Sequence, residues 1–253
     1  MTVTSVAFAN GELGLRVVRH MATSEGLRAV FVHPAGRASM REQITAIART
    51  ARVPVVEAAA RSEDRVRQLH NVGSVDVGVS AGYGFIMREQ EFEFPRYGTV
   101  NLHTSLLPHN RGAHPNAWAI ADASPAGATL HFVVAGVDTG DILAQRVTEY
   151  GFRDTARTLY DRQLLDAERL FVEFWPKDEA YWTNPPRVAQ SPEGTFHRVR
   201  DLETLRLPGP ETVMRVGDVL RVIRSRTFAP FPGALIEVDG RRYRLRLEIE
   251  EDE

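Results

Sequence analysis

The side chains able to do chemistry lie close together in TVNLHTSLLP, where the amide of Asn101 and the imidazole of His103 stand two residues apart. In a strand, that spacing puts both on one side. Ser105 follows as the chain leaves into Leu106, Leu107 and Pro108. An amide donor beside an imidazole can steady a developing oxyanion and move a proton, which are two requirements of acyl transfer. The later turn Val137-Asp138-Thr139-Gly140 can bring a carboxylate to the imidazole and set its tautomer and charge. A histidine at a strand end is more often structural than catalytic, and only such partners reverse the odds.

The whole segment NLHTSLLPHNRGAHPNAWAIADASPAGATLHFVVAGVDTGD, from Asn101 to Asp141, resembles the formyltransferases that use 10-formyltetrahydrofolate. Their pattern is NxHxSLLPxxRG followed by a (V/L)DTG turn. Within that family the wording is most similar to N-formyltransferases acting on nucleotide-linked amino sugars, a branch that IRSRTFAPFPGALIEVDGRRYRLRLEIE near the C-terminus also resembles. The resemblance implies that Asn101 and His103 bind the oxygen of the tetrahedral intermediate, that His103 is a candidate proton acceptor, and that Asp138 orients His103 and favours its charged form. It places folate against Tyr83, Gly84, Phe85 and Ile86 of SAGYGFIM and against Val137, Asp138 and Asp141 of the turn. Ser105, Arg111 and Gly112 would lie beside the acceptor amine. Phe228 could stack on a nucleotide base, and Arg224 or Arg226 could meet a phosphate.

Plainer roles compete at several of these positions. Arg111 fits a solvated loop equally well, Trp118 fits core packing better, and the side chains of Phe85 and Ile86 fit the core. Phe231 fits packing of a small domain onto a large one. The resemblance implies formyl transfer from 10-formyltetrahydrofolate to the primary amine of a dTDP- or UDP-linked amino sugar; no metal is expected, for want of a histidine–carboxylate ligand pattern. Methionyl-tRNA, or an amino-acid or antibiotic amine, is the alternative acceptor. A folate- or nucleotide-binding regulator without activity is a second alternative, because a fold alone does not establish catalysis.

Composition bounds these readings. The 253 residues contain no cysteine, which removes thiolate nucleophiles, disulfides and cysteine-ligated zinc. A net charge of −2, with basic and acidic residues interleaved, argues against a nucleic-acid partner. No apolar run spans a bilayer and no signal peptide opens the chain, so a cytoplasmic protein without a membrane partner is expected. The remaining histidines, His20, His33, His70, His109, His114, His131 and His197, form no HxH or HExxH metal pattern. His33, at a strand end on the presumed active edge, lacks any partner in its local sequence.

These side chains need a scaffold, and the first 150 residues alternate short apolar runs with helical patterns, as a mainly parallel sheet requires. Strands are predicted near Val3–Ala9, Arg28–Val32, Val53–Val56, Val75–Ser80, Thr99–His103, Ala128–Val134 and Ile142–Glu149. Helices fit Leu13–Thr23, Arg41–Arg49 and Ser62–Asn71. The first turn, FANGELGLRV, lacks the full dinucleotide fingerprint, so Gly11 and Gly14 suit turn geometry and close packing instead. From Ala156 to Phe174 the apolar spacing is helical. Pro176–Pro192 reads as an ordered linker, Thr212–Ile223 as a short helix, and Ala234–Val238 with Arg241–Ile249 as a hairpin turning at Asp239-Gly240. The fold expected is therefore α/β. It comprises a Rossmann-like formyltransferase domain over 1–185 and a small C-terminal α+β domain over 186–253 whose hairpin could pair two copies into a homodimer.

Overall fold

The computed structural model describes residues 2–252, so the outer ends of the two expected domains lie outside the described residues. In chain order the elements are β1 (Ser5–Ala9), α1 (Gly11–Met21), β2 (Leu27–Val32), α2 (Arg41–Thr50), β3 (Val55–Glu57), α3 (Ser62–Val72) and β4 (Val77–Ala81). Then come α4 (Glu89–Phe92), β5 (Thr99–His103), β6 (Arg111–Gly112), α5 (Pro115–Ala121), β7 (Gly127–Phe132) and β8 (Ile142–Val147). The last are α6 (Ala156–Phe174), α7 (Glu179–Thr183), β9 (Phe196–His197), α8 (Val216–Arg226), β10 (Ala234–Val238) and β11 (Arg241–Leu245).

Seven strands form one sheet in the order β3-β2-β1-β4-β5-β7-β8. The pairs from β3 through β5 are parallel, and β7 runs antiparallel to β5. The chain winds outward from β1 to β3 and then returns to place β4 on the other side of β1. Such a reversal opens a crevice at the carboxyl ends of the two central strands, where ligands of open α/β sheets commonly bind. SAGYGFIM leaves β4 at that end. Asn101 and His103 occupy the carboxyl end of β5, one strand over.

Strands β1, β4 and β7 are buried along their whole length, and the parallel β1 and β4 accordingly read as continuous apolar or small runs, whereas β7 also buries Thr129 and His131. One core cluster joins Val6, Phe8, Ala29, Phe31, Leu69 and Val75. Helix α1 adds a buried stripe of Leu13, Val17, Val18 and Met21, each such side chain stabilising by about 1.5–3 kcal/mol when fully buried. Gly14 lets that helix sit against the strand ends, since a Cβ there would lie 3.0 Å from both Ala81 O and Ala9 C. This is the packing role anticipated for it.

By contacts the chain divides into two units. One comprises 1–103, 129–145 and 167–190, and the other 104–128, 146–166 and 191–253. In the second unit, Leu207, Ile223 and Ala234 form a small core, with Val222, Ile236 and Leu245 against it. The hairpin of β10 and β11 turns at Asp239 (φ 50) and Gly240 (φ 72), the two positive φ values that a tight two-residue turn demands.

Several elements differ from the sequence expectation. Helix α8 begins at Val216, because Val213 is 98 % exposed and offers no buried face upstream. It runs on to Arg226 because Arg224 and Arg226 are themselves buried. Strand β11 stops at Leu245, which already pairs with Ala234, the first residue of β10. Leu245, Leu247 and Ile249 remain half-buried while Arg244, Arg246 and Glu248 are exposed, so the alternation outlasts the pairing. Tyr243 breaks it and is exposed. The stretch after α6 carries α7, capped where the Asp178 carboxylate accepts the Tyr181 N–H at 2.9 Å and anchored by buried Trp182.

Candidate active site

The parallel ladder with β4 sets Asn101 opposite Ser80, and the antiparallel ladder with β7 sets it opposite His131. Asn101 and His103 share one face of β5, as the two-residue spacing requires. Asp138 reaches that face from its turn in the left-handed conformation (φ 53), a backbone shape that Asp tolerates better than most residues. Two features hold the turn. The side-chain amide of Gln190 donates to Asp138 O at 2.9 Å and to Gly140 O at 2.7 Å. A Cβ on Gly140 would fall 1.9 Å from Phe132 O, so only glycine permits this close return.

Asn101 Nδ2 lies 3.3 Å from Asp138 Oδ1, and His103 Nε2 lies 3.7 Å from Asp138 Oδ2. The second distance is that of an ion pair with room to tighten rather than a formed hydrogen bond. His103 and Asp138 expose only 12 % and 13 % of their side chains, so a proton on the imidazole would feel the carboxylate with little screening by water. The structure thus brings together Asn101, His103 and Asp138, the three residues marked for chemistry.

It adds a fourth group that sequence reading left among the unassigned histidines. His131 is 2 % exposed, with Nε2 3.2 Å from Asn101 Nδ2 and 3.5 Å from Asp138 Oδ1. Gln190 was likewise missed, hidden in the presumed linker. The one local signal for His131 was an imidazole inside a fully buried strand, GATLHF, whose one other polar side chain is Thr129.

The loop after β4 is organised by His33, for which the local sequence had offered no partner. Gly84 donates its N–H to His33 Nε2 at 3.0 Å, and the imidazole stacks on Phe85 with centroids 4.4 Å apart. Burial, then the nearby Arg37 and Arg65 guanidinium groups, push the His33 pKa down, favouring the neutral ring that can accept this bond. Tyr83 packs on Phe8 and His33, and burial pushes its phenol up.

Phe85 is half-buried against the core, as expected, but Ile86 is 79 % exposed and does not join it. The two-residue alternation past Phe85 turns Ile86 outward. Phe85, Ile86, Arg61, Ser62, Arg65 and Arg88 line a cavity of about 570 Å³. Its lining excludes Asn101, His103 and Asp138. Arg65 is held there by buried Glu91 through Nε–Oε1 at 2.6 Å, with its guanidinium carbon 4.7 Å from the Phe85 ring centroid. In the turn, Val137 is 39 % exposed and Asp141 accepts Phe132 N–H through its carbonyl at 2.9 Å.

The remaining candidates belong to the second unit. Ser105 is buried there. Arg111 and Gly112 form β6, paired in parallel with Phe196 and His197 of β9, so this stretch is tied down rather than a free loop. Trp118 packs as expected, stacked on His197 with centroids 3.8 Å apart. Phe228 lies against Tyr160, with Arg157 over its ring at 5.2 Å.

Two expectations fail here. Arg224 donates to the carbonyls of Asp154 and Gly151, and Arg226 to that of Leu202, so both buried guanidinium groups serve the backbone instead of a phosphate. Phe231 is 62 % exposed, so its ring is not the buried packing group expected.

Residues 20–174 match the family described as formyl transferase. The chain belongs to that family. Residues 201–251 of this formyl transferase family member match the N-formyltransferase dimerization C-terminal domain. The chain is 34% identical over 211 residues to the methionyl-tRNA formyltransferase of Anaeromyxobacter dehalogenans, covering 82% of this chain and 66% of that protein. It therefore spans just under two thirds of the length of that curated relative.

Among solved structures, a sugar N-formyltransferase from a Shewanella species superposes with a TM-score of 0.79 at 18% identity, covering 100% of both chains, a likeness of fold. The formyltransferase PseJ from Anoxybacillus kamchatkensis superposes with a TM-score of 0.54 at 28% identity, covering 70% of this chain and 88% of that one. That structure is a complex with UDP-4,6-dideoxy-4-formamido-L-AltNAc and tetrahydrofolate. No helix among the described residues is long and apolar enough to cross a membrane.

Proposed function

We propose that this protein transfers the formyl group of 10-formyltetrahydrofolate to the primary amine of a nucleotide-linked amino sugar. The observation that carries the reaction is the meeting of Asn101, His103 and Asp138 at the carboxyl end of β5, with Asn101 Nδ2 3.3 Å from the carboxylate. Attack of the neutral amine on the formyl carbon forms a tetrahedral intermediate. Asn101 and His103 stabilise its oxyanion, and His103, steadied by Asp138, accepts the amine proton directly or through water. Collapse breaks the bond between the formyl carbon and N10 as the proton held by His103 passes to N10, releasing tetrahydrofolate and the N-formyl sugar.

The donor would lie against the loop of Tyr83, Gly84, Phe85 and Ile86 and the turn of Val137, Asp138 and Asp141. The aromatic and basic cavity beside that loop suits a flat ring system that ends in carboxylates. Because Gly84 N–H is already given to His33, main-chain recognition of a pterin falls to its neighbours. Ser105, Arg111, Gly112 and Phe228 would bind the acceptor. The match of residues 201–251 to a C-terminal domain of N-formyltransferases and the nucleotide-sugar complex of PseJ support a sugar amine.

We place the catalytic domain at 1–185 and the small domain at 186–253, and the protein in the cytoplasm. Two copies would join through β10 and β11, a two-stranded sheet near which Phe231 and Tyr243 are exposed. A second reading, transfer to methionyl-tRNA, is favoured by the names of the curated relatives. Against it stand the net charge of −2 and the interleaved charges.

A turnover screen tests the reading: 10-formyltetrahydrofolate with a panel of dTDP- and UDP-amino sugars and with methionyl-tRNA, following tetrahydrofolate release and acceptor mass. A gain of one formyl group on a sugar is the expected result. Formylation of the tRNA alone would replace the acceptor and keep the reaction.

A further inference from the structure

We infer that His131 is a positioning residue that fixes the amide of Asn101 with its nitrogen toward the reacting centre; the inference rests on the formyl-transfer reading above. His131 Nδ1 lies 2.8 Å from the carbonyl oxygen of Phe132. A carbonyl only accepts, so Nδ1 carries the proton. Nε2 also lies 3.5 Å from Asp138 Oδ1, but we take the ring as singly protonated, so that its bare Nε2 accepts from the nearer Asn101 amide. That lone pair faces Asn101 Nδ2 at 3.2 Å. Burial of the ring to 2 % exposure leaves no water to substitute for either bond.

The consequence lies in the amide. An asparagine can flip end for end, and a flipped Asn101 would aim its carbonyl oxygen at the oxyanion it is assigned to stabilise. With His131 in place, the flip would also press that oxygen onto a lone pair at 3.2 Å and strip the buried Nε2 of its donor. Asn101 has two N–H bonds, and in this structure one goes to His131 Nε2 and the other to Asp138 Oδ1. Only the second can be given up to an oxyanion without leaving a buried acceptor unpaired, because Asp138 retains the ion pair with His103. His131 thus selects both the orientation of the amide and which of its hydrogens is free to move. Its place directly opposite Asn101 across β5 and β7 makes this an effect of strand register.

A double-mutant cycle on kcat tests the assignment, using whichever acceptor the wild-type protein formylates. His131→Phe keeps the ring volume and removes the acceptor. It is expected to lower kcat about 10- to 100-fold while leaving donor KM within about threefold, because the lost contact serves the transition state. In an Asn101→Ala background the same change is expected to cost less than about twofold, since the group it positions is gone. Equal losses in both backgrounds would assign His131 a purely structural role and overturn the proposal. A loss of donor affinity as large as the loss of kcat would do the same.

A measurement independent of turnover covers a variant that misfolds and a wild type that formylates none of the acceptors offered. Long-range proton–nitrogen NMR of the wild-type imidazoles is expected to show His131 protonated at Nδ1 and bare at Nε2, with the Nε2 signal moving in Asn101→Ala. A proton on Nε2, or a signal indifferent to Asn101, refutes the inference even if formyl transfer is established. The expected spectrum with no turnover on any amine or RNA would instead leave the positioning intact and retire the functional reading.

Discussion

Two buried imidazoles, His131 and His33, each accept a hydrogen bond at Nε2, yet their surroundings differ in a way that bears on function. His131 has both nitrogens engaged, Nδ1 with Phe132 O and Nε2 with Asn101. His33 accepts from Gly84 N–H, but its buried Nδ1 has no hydrogen-bond partner among the described residues. A fully paired group in a dry setting holds its neighbours in one arrangement. A half-paired one spends stability to shape a loop, here the segment Tyr83–Met87, and leaves a polar atom unsatisfied. The first suits the reacting centre proposed for Asn101, His103 and Asp138. The second suits the donor-binding role proposed for that loop.

The difference can be broken most severely at the reacting centre. His103→Ala is expected to lower kcat by about 10³-fold or more while donor binding survives, since the role proposed for the imidazole is in the transition state. Near-normal turnover would remove His103 from the mechanism. Asp138→Asn should cost about 10²-fold in kcat, because the neutral amide no longer supports a charged imidazole. An unchanged pH–rate profile in that variant would undercut the role.

On the loop side the largest effect should be one of stability. Glu91 is 1 % exposed and holds the 5 % exposed guanidinium of Arg65, with a further contact from Ser62. Glu91→Ala leaves that charge buried and unpaired, which is expected to destabilise the fold by about 3–5 kcal/mol. A melting temperature within a degree of wild type would show that Arg65 finds another partner. His33→Ala should act more gently. A rise in donor KM of about tenfold with kcat nearly kept is expected as Gly84 loses its acceptor and Phe85 its stacking partner. A fall confined to kcat would mean that His33 serves the chemistry rather than the loop.

The smallest effect sharpens the comparison by pH. The His33 pKa is lowered in the folded protein from its ordinary value of 6.5, mainly by burial. As pH falls below about 6.5 the unfolded chain takes up a proton that the folded one refuses, so stability declines until pH passes the lowered value. The slope from one such group is at most about 1.4 kcal/mol per pH unit. His114 and His197 are lowered in the same direction by burial and share the effect. Denaturant titrations between pH 7 and 5 should therefore show a shallower slope for His33→Leu than for the parent. Parallel slopes would mean that the His33 ring is as readily charged folded as unfolded.

Local rules made part of this legible. The two-residue spacing of Asn101 and His103 predicted their common face, and Asp239-Gly240 predicted the hairpin turn. The 3.6-residue pattern predicted the helix ending at Phe174. The short helix at Glu179–Thr183 was not legible because Pro and aromatic residues around it read as linker, and its anchor, Trp182, is set by burial. Arg224 and Arg226 looked like phosphate ligands because a sequence displays charge without showing which carbonyls lie within reach.

By itself, then, the sequence determined the α/β alternation, the polar triplet with its distant turn, and the family. These depend on periodicity, on turn propensity and on residues adjacent along one strand. The tertiary structure alone decided that His131 faces Asn101 across 30 residues of chain, that His33 receives Gly84 across 51, and that Gln190 holds the Asp138 turn across 52. Those pairings arise from strand order, ladder register and the burial of side chains remote in the chain, which become fixed only when the core packs.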